Sequence, residues 1–339
     1  MARHSLRPTS SLPRWGAGAL AATLVLAGCG DEADGGSDAG QAMAVSTGFF
    51  PLTHLVEKVG GDHVEVTQVT PPGTDPHHVE MTPKSTGQLQ EADLVVYLET
   101  MQPALDSAVD AVAGDHSWDV AEAVDLEAGP PEGEAEGEGA EHDHTEDEGE
   151  GHDDHADHGH EGHDHGGVDP HFWLDPITYA KAARATGERL AEQDPDHAED
   201  YRRNAEAYAE ELEALDDELA KGFASCKITD LVVGHEAYAW FSARYGFHQL
   251  GVAGIANGAE ASPARLAELT GVVREAGVTT IYAEPLTPRD NAEALAAETG
   301  TTVEVIDPVA GLSDSSAAED YVGLMRANAE TLRAGQDCA

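Results

Sequence analysis

Three histidines stand in contexts that read as ordered chain: His77 in PPGTDPHHVEMTP, His171 in VDPHFWLDP and His235 in VVGHEAYAWFSARYG. Asp307, in VEVIDPVAGL, is a fourth candidate beside them. Neutral imidazole nitrogens and a carboxylate oxygen form a nitrogen-rich, low-coordinate set, and that set suits zinc. Taken singly, each histidine reads as a loop or capping residue. A second metal signal joins them. Between Glu141 and His165, 25 residues carry eight histidines (His142, His144, His152, His155, His158, His160, His163 and His165) among carboxylates. Ligands that dense can gather divalent ions without a fold, because the chain is free to wrap. The opposing reading is a solvated acidic spacer in which histidine is incidental. No short ligand motif of the HExxH or CxxC kind is present.

The elements that must position these residues alternate between two patterns. Apolar, β-rich runs at 43–50, 63–69 and 94–98, and again at 230–234, 278–284 and 301–306, read as strands. Helical patterns lie between them, as at 52–60, 84–91, 236–245, 263–276 and 289–299. Such alternation implies parallel sheets flanked by helices, here twice over. His77, His235 and Asp307 follow predicted strands, and open α/β sheets bind ligands at the carboxyl ends of their strands. Between the halves, Asp194-Pro195 is a helix-start signal. Tyr201, Ala205, Tyr208, Leu212, Leu215 and Leu219 then fall on one stripe. That stripe predicts a helix of about 27 residues, about 40 Å long, stiff enough to restrict relative motion of two lobes. The expectation is an α/β protein with two lobes joined by a long rigid connecting helix and a metal site in the cleft between them. The boundaries expected are 43–175 for the first lobe, with a disordered acidic insertion at 127–167, 176–222 for the helical connector and 223–339 for the second lobe.

The chain starts with a basic segment containing Arg3, Arg7 and Arg14, followed by a short apolar run ending in Leu26-Ala27-Gly28-Cys29. The run is too short to span a bilayer and reads as a secretion signal over 1–28. LAGC resembles a bacterial lipobox, which would make Cys29 the lipidated first residue, anchored to the outer face of the plasma membrane. Residues 29–42 then form a flexible tether. Cys226 and Cys338 remain, and an even pair in an exported chain reads as a disulfide, with free thiols or metal thiolates as the alternatives. The formal charge is −47, with no Lys or Arg between Lys84 and Lys181. Nucleic acid and anionic lipid headgroups need a positive face, so neither fits as a partner.

Together the blocks GTDPHHVEMTP, DPHFWLDP, GHEAYAWFSARYG and AEPLTPRDNAEALAAETG followed by VIDP resemble the zinc/manganese solute-binding proteins of bacterial ABC transporters, the ZnuA-like group or cluster A-I. The resemblance runs from about Met43 to Cys338. It implies a monomeric extracytoplasmic receptor, not an enzyme, that hands its ion to an ABC permease and its ATPase. It places metal ligands at His77, His171 and His235. Asp307 is the position that matches the fourth ligand of manganese and mixed-metal members, where several zinc members instead use water or a residue near the first histidine. His78 adjoins His77, which keeps the DPH register. Histidine at 235, where manganese-binding relatives carry Glu, implies zinc over manganese, as does the His-rich insertion before the second block. Glu284 of AEP takes a supporting role near the cleft, and the resemblance also agrees with a Cys226–Cys338 bridge. Two rivals remain: a secreted zinc hydrolase, with Glu236 beside three histidines to activate water, and a surface adhesin or metal buffer without a transporter.

Overall fold

The computed structural model describes residues 42–130, 168–254 and 261–339. The expected signal peptide, the expected lipidation site Cys29 and the histidine tract 142–165 lie outside the described residues. Two four-stranded sheets are built from the two halves of the chain. The first contains β1 (Met43–Thr47), β2 (Val64–Gln68), β3 (Leu94–Tyr97) and β4 (Ser117–Asp119), in the order β2-β1-β3-β4. The second contains β5 (Asp230–Val233), β6 (His248–Gly251), β7 (Thr280–Ala283) and β8 (Thr302–Val305), in the order β6-β5-β7-β8. Every pairing is parallel. Strands inside such sheets are covered on both faces and become continuous apolar runs. LVV of β3, LVV of β5 and TIYA of β7 are buried at every residue, whereas TVEV at the β8 edge alternates.

The helices are α1 (Phe50–Gly60), α2 (Pro83–Glu91), α3 (Pro103–Val112), α4 (Ala121–Val124), α5 (Pro176–Gln193), α6 (Ala198–Phe223), α7 (Ala239–Tyr245), α8 (Pro263–Ala276), α9 (Asp290–Thr299) and α10 (Tyr321–Gly335). The expected strand 43–50 ends at Thr47, because Pro51 opens α1 in its first turn and the chain turns helical at Phe50. The expected helix 236–245 starts only at Ala239; the residues before it form the loop that carries His235. β4 and β6 are too short to show an alternation, and the sequence pattern passes over both.

The connector is a pair of helices. α5 and α6 pack antiparallel, with Arg184 bonded to Glu206 and Glu213 and Arg202 to Glu188 across the pair. Gly187 permits the close approach: a Cβ there would lie 2.6 Å from that of Ala205 and 3.2 Å from the carbonyl of Tyr201. The 26 residues of α6 span about 39 Å, after a 3-10 turn over Pro195–His197 that delays the predicted start. All six residues of the predicted stripe are buried, and α6 packs against α1 on one side of the molecule and α7 and α10 on the other. One apolar core runs through the whole assembly, from Phe49, Leu52 and Trp173 through Tyr201, Leu212 and Tyr321 to Trp240 and Phe241. Smaller cores fill the far face of each sheet, around Val95 and Leu105 and around Ile281 and Leu269. Separating the two halves would expose the shared core, at about 25 cal/mol for each Å² of apolar surface. Cys226 and Cys338 are joined as a disulfide across 112 residues, tying the end of α10 to the segment before β5.

Candidate metal centre

Asp-Pro dipeptides shape the loops that carry the candidate ligands. In Asp75-Pro76-His77 and Asp169-Pro170-His171 the aspartate side chain accepts the histidine backbone N–H, at 3.0 and 2.9 Å. Asp307-Pro308-Val309 repeats the turn at 2.8 Å, and Asp175-Pro176-Ile177 uses it to start α5 at 3.0 Å. Aspartate two residues before an N–H makes this turn readily, and proline sets the φ between them. His77 therefore sits on a 3-10 turn, Pro76–His78, after β2, and His171 immediately precedes another, Phe172–Leu174. His235 leaves β5 through Gly234. Glu284 leaves β7, the strand beside β5. Order β6-β5-β7-β8 makes the β5–β7 boundary the point where chain connections diverge, and ligands collect there in open sheets.

Those loops bring three rings together. Ligand nitrogens of His77, His171 and His235 lie within 4.8 Å of one another, and ring centroids are 5.3 to 5.9 Å apart. Nε2 of His77 lies 3.3 Å from Nε2 of His171. Tetrahedral zinc with bonds of about 2.05 Å separates its nitrogen ligands by about 3.35 Å. His171 is 0% exposed and His235 2%, whereas His77 is half-buried and His78 exposed.

Two buried carboxylates orient the deeper rings. Nδ1 of His171 is 2.7 Å from Asp169 Oδ1, and Nδ1 of His235 is 2.6 Å from Glu284 Oε1. A proton on each Nδ1 leaves each Nε2 lone pair for a cation. Nε2 of His235 is buried without a hydrogen-bond partner, a costly state for a polar atom. Burial would keep that ring neutral, but the charge of Glu284, with Asp75 and Asp169 behind it, outweighs burial and raises its proton affinity above the ordinary histidine value. Burial, which opposes charge on either group, raises the Asp75 carboxyl. The cavity lined by the three histidines, Asp75, Glu284, Leu286 and Pro308 among others measures about 10 Å³, room for one ion or one water.

Asp307 is not among the three-residue group. Its Oδ1 accepts from Val309, its backbone is bracketed by Asn328, and its Oδ2 is buried without a partner. Burial lifts its carboxyl to about 6. Val309 holds a left-handed φ of 57°, unusual for a β-branched residue, in the turn that Asp307 closes. Glu236 does not line the cavity. The roles of Asp169 and Asp75 are signalled in the sequence only by the doubled D-P-H spelling, which places an acceptor two residues before His77 and His171.

A family model, "Zinc-uptake complex component A periplasmic", matches residues 45–335. The chain belongs to the ZnuA family. The zinc-binding lipoprotein AdcA of Streptococcus pneumoniae is 31% identical over 319 residues, covering 93% of this chain and 59% of AdcA, so the chain spans under two thirds of that relative. The high-affinity zinc uptake system protein ZnuA of Bacillus subtilis is 30% identical over 317 residues, covering 91% and 93% of the two chains. Among solved structures, the Zn(II)-bound ZnuA-like domain of S. pneumoniae AdcA matches with a TM-score of 0.66 at 26% identity, over 88% of this chain and 100% of that domain. The two-sheet architecture is that of the ZnuA family.

Proposed function

We propose that this protein is the high-affinity zinc receptor of an ABC importer, capturing Zn²⁺ outside the membrane and passing it to a permease and its ATPase. The convergence of three imidazoles, two of them buried with Nδ1 held by a carboxylate, carries this reading. Such a site suits zinc or its neighbours and disfavours calcium or magnesium, which require oxygen ligands. Histidine rather than a carboxylate at position 235 favours zinc over manganese. The relatives named for zinc uptake and zinc binding support the same cargo. We assign the fourth position to the partnerless Oδ2 of Asp307, which would have to move toward the three nitrogens. Four protein ligands close a metal centre, as binding requires, whereas a hydrolase keeps one position open for water. Glu236, outside the cavity, is badly placed to activate such a water.

The periplasmic description of the family supports an extracytoplasmic location. No described helix is long and apolar enough to cross a membrane; attachment through lipidated Cys29 is part of the proposal. The histidine tract acts in this reading as a low-affinity collector. Calorimetric titration of metal-stripped protein with Zn²⁺ tests the whole assignment. One tight site should appear, vanish in His77→Ala, and survive deletion of 129–166, which removes only weak sites. A tight site lost with the tract and kept in His77→Ala would overturn it.

A further inference from the structure

Two indoles outside the ligand set tie the ligand-bearing segments to one another. Trp240, on α7 after His235, donates its Nε1–H to the main-chain carbonyl of Asp169 at 3.0 Å. Asp169 is the residue that holds both the backbone and the ring of His171. Trp173, two residues after His171, donates its Nε1–H to the carbonyl of Pro308 at 2.8 Å. Pro308 lines the cavity from the loop after β8. Trp173 is itself held through its own carbonyl, which accepts the hydroxyl of Tyr321 on α10. Trp173, Trp240 and Tyr321 are 0, 2 and 0% exposed.

Leucine or phenylalanine can fill an apolar core. An indole adds one N–H that only donates, and here each N–H meets a carbonyl beside a ligand-bearing turn. The bonds run in opposite senses. Trp240 reaches from the second-sheet half to the His171 segment, and Trp173 reaches from the His171 segment to the Asp307 loop. Losing either donor would leave a buried carbonyl unsatisfied, and a small shift of the loop would relieve it. Such a shift moves a ligand nitrogen.

We infer that Trp240 and Trp173 are positioning residues of the metal centre, whose N–H groups fix the His171 segment against the His235 and Asp307 segments so that the nitrogens stand at metal-binding separation before an ion arrives. This rests on the three-histidine reading above. Metal-binding proteins lose roughly 10- to 100-fold in affinity when groups behind the ligands are removed, and these two bonds fall in that class.

The test replaces each tryptophan in turn with 3-benzothienylalanine, its sulfur isostere, which keeps the ring and removes the N–H. Zinc affinity is measured by chelator competition, ligand geometry by the visible d–d spectrum of the Co²⁺-loaded protein, and folding by the melting temperature of the metal-free form. His235→Ala is the control for the underlying reading. Affinity should fall about ten-fold or more in each isostere, with an altered Co²⁺ spectrum. Wild-type affinity and spectrum in both isosteres, with binding abolished in His235→Ala, overturn the positioning role alone. A lowered melting temperature with an unchanged Co²⁺ spectrum also overturns it, since it shows two merely structural bonds. Wild-type zinc binding by His235→Ala overturns the three-histidine reading itself.

Discussion

His171 and His235 differ from His77 in what surrounds them. The first two are buried, and each ring is clamped at Nδ1 by a carboxylate that is itself buried. Their chain neighbours Phe172, Trp173, Val233 and Ala237 belong to the apolar core shared by the two sheets. His77 stands half-buried on a short turn after the edge strand β2, with exposed His78 beside it. One pair is therefore part of the scaffold, and the third candidate ligand is an arm laid across it. The proposed receptor role requires both tight binding and release. Since opening the halves would expose a continuous core, local motion of the His77 turn is the cheaper route.

Variants can break or sharpen this contrast, and the largest effect belongs to the buried pair. His235→Ala removes a proposed ligand and strands Glu284 in the core. Zinc affinity should fall more than about 100-fold, beyond the range for groups behind the ligands, and stability should drop by roughly 3 kcal/mol. His77→Ala should lose affinity to a similar degree while stability falls by no more than about 1 kcal/mol, since the ring is half-buried on a short turn. Equal destabilisation by both, in paired denaturant melts, would erase the distinction. Glu284→Gln keeps an acceptor for His235 but not the charge; it should cost about 10- to 100-fold in zinc affinity, measurable by competition.

Changes remote from the centre should leave affinity alone. Replacing Cys226 and Cys338 by alanine should cost about 2–5 kcal/mol of stability at unchanged zinc affinity in the folded protein. His54 lies in the core between α1 and α6, edge-on to Tyr208, and burial lowers its pKa to about 4. The unfolded chain then binds more protons between pH 6.5 and 4. The stability of neutral His54 is fully present above pH 6.5 and is lost as pH falls toward 4, by at most about 3 kcal/mol. His54→Phe should flatten that part of the stability–pH curve. A curve as steep in the variant would assign acid sensitivity elsewhere, with the metal-free centre the first candidate.

Legibility in the sequence followed physical locality. The apolar runs of β3, β5 and β7 were plain because both faces of those strands are covered. The α6 stripe was plain because one helix face repeats at fixed spacing. β4 and β6 were hidden by their brevity. The role of α5 as the packed partner of α6 was hidden as well, because two helices read alike whether they lie end to end or side by side. Within the site, the three histidines were visible through their Asp-Pro and strand-end contexts. Asp307 was visible in the same way, yet the structure leaves it outside the group they form.

Residue type and local turn chemistry alone thus determined much of this protein: alternating elements, the Asp-Pro turns, the paired cysteines and a histidine-rich choice of ligand. Tertiary structure decided which histidines meet, that Asp169 and Glu284 orient them, and that Trp173 and Trp240 bridge their loops. The reason is distance along the chain. His77 and His171 are separated by 94 residues, and Glu284 lies 49 from His235. Nothing local encodes a 3 Å contact over such spans; only the packing of two sheets on shared helices does.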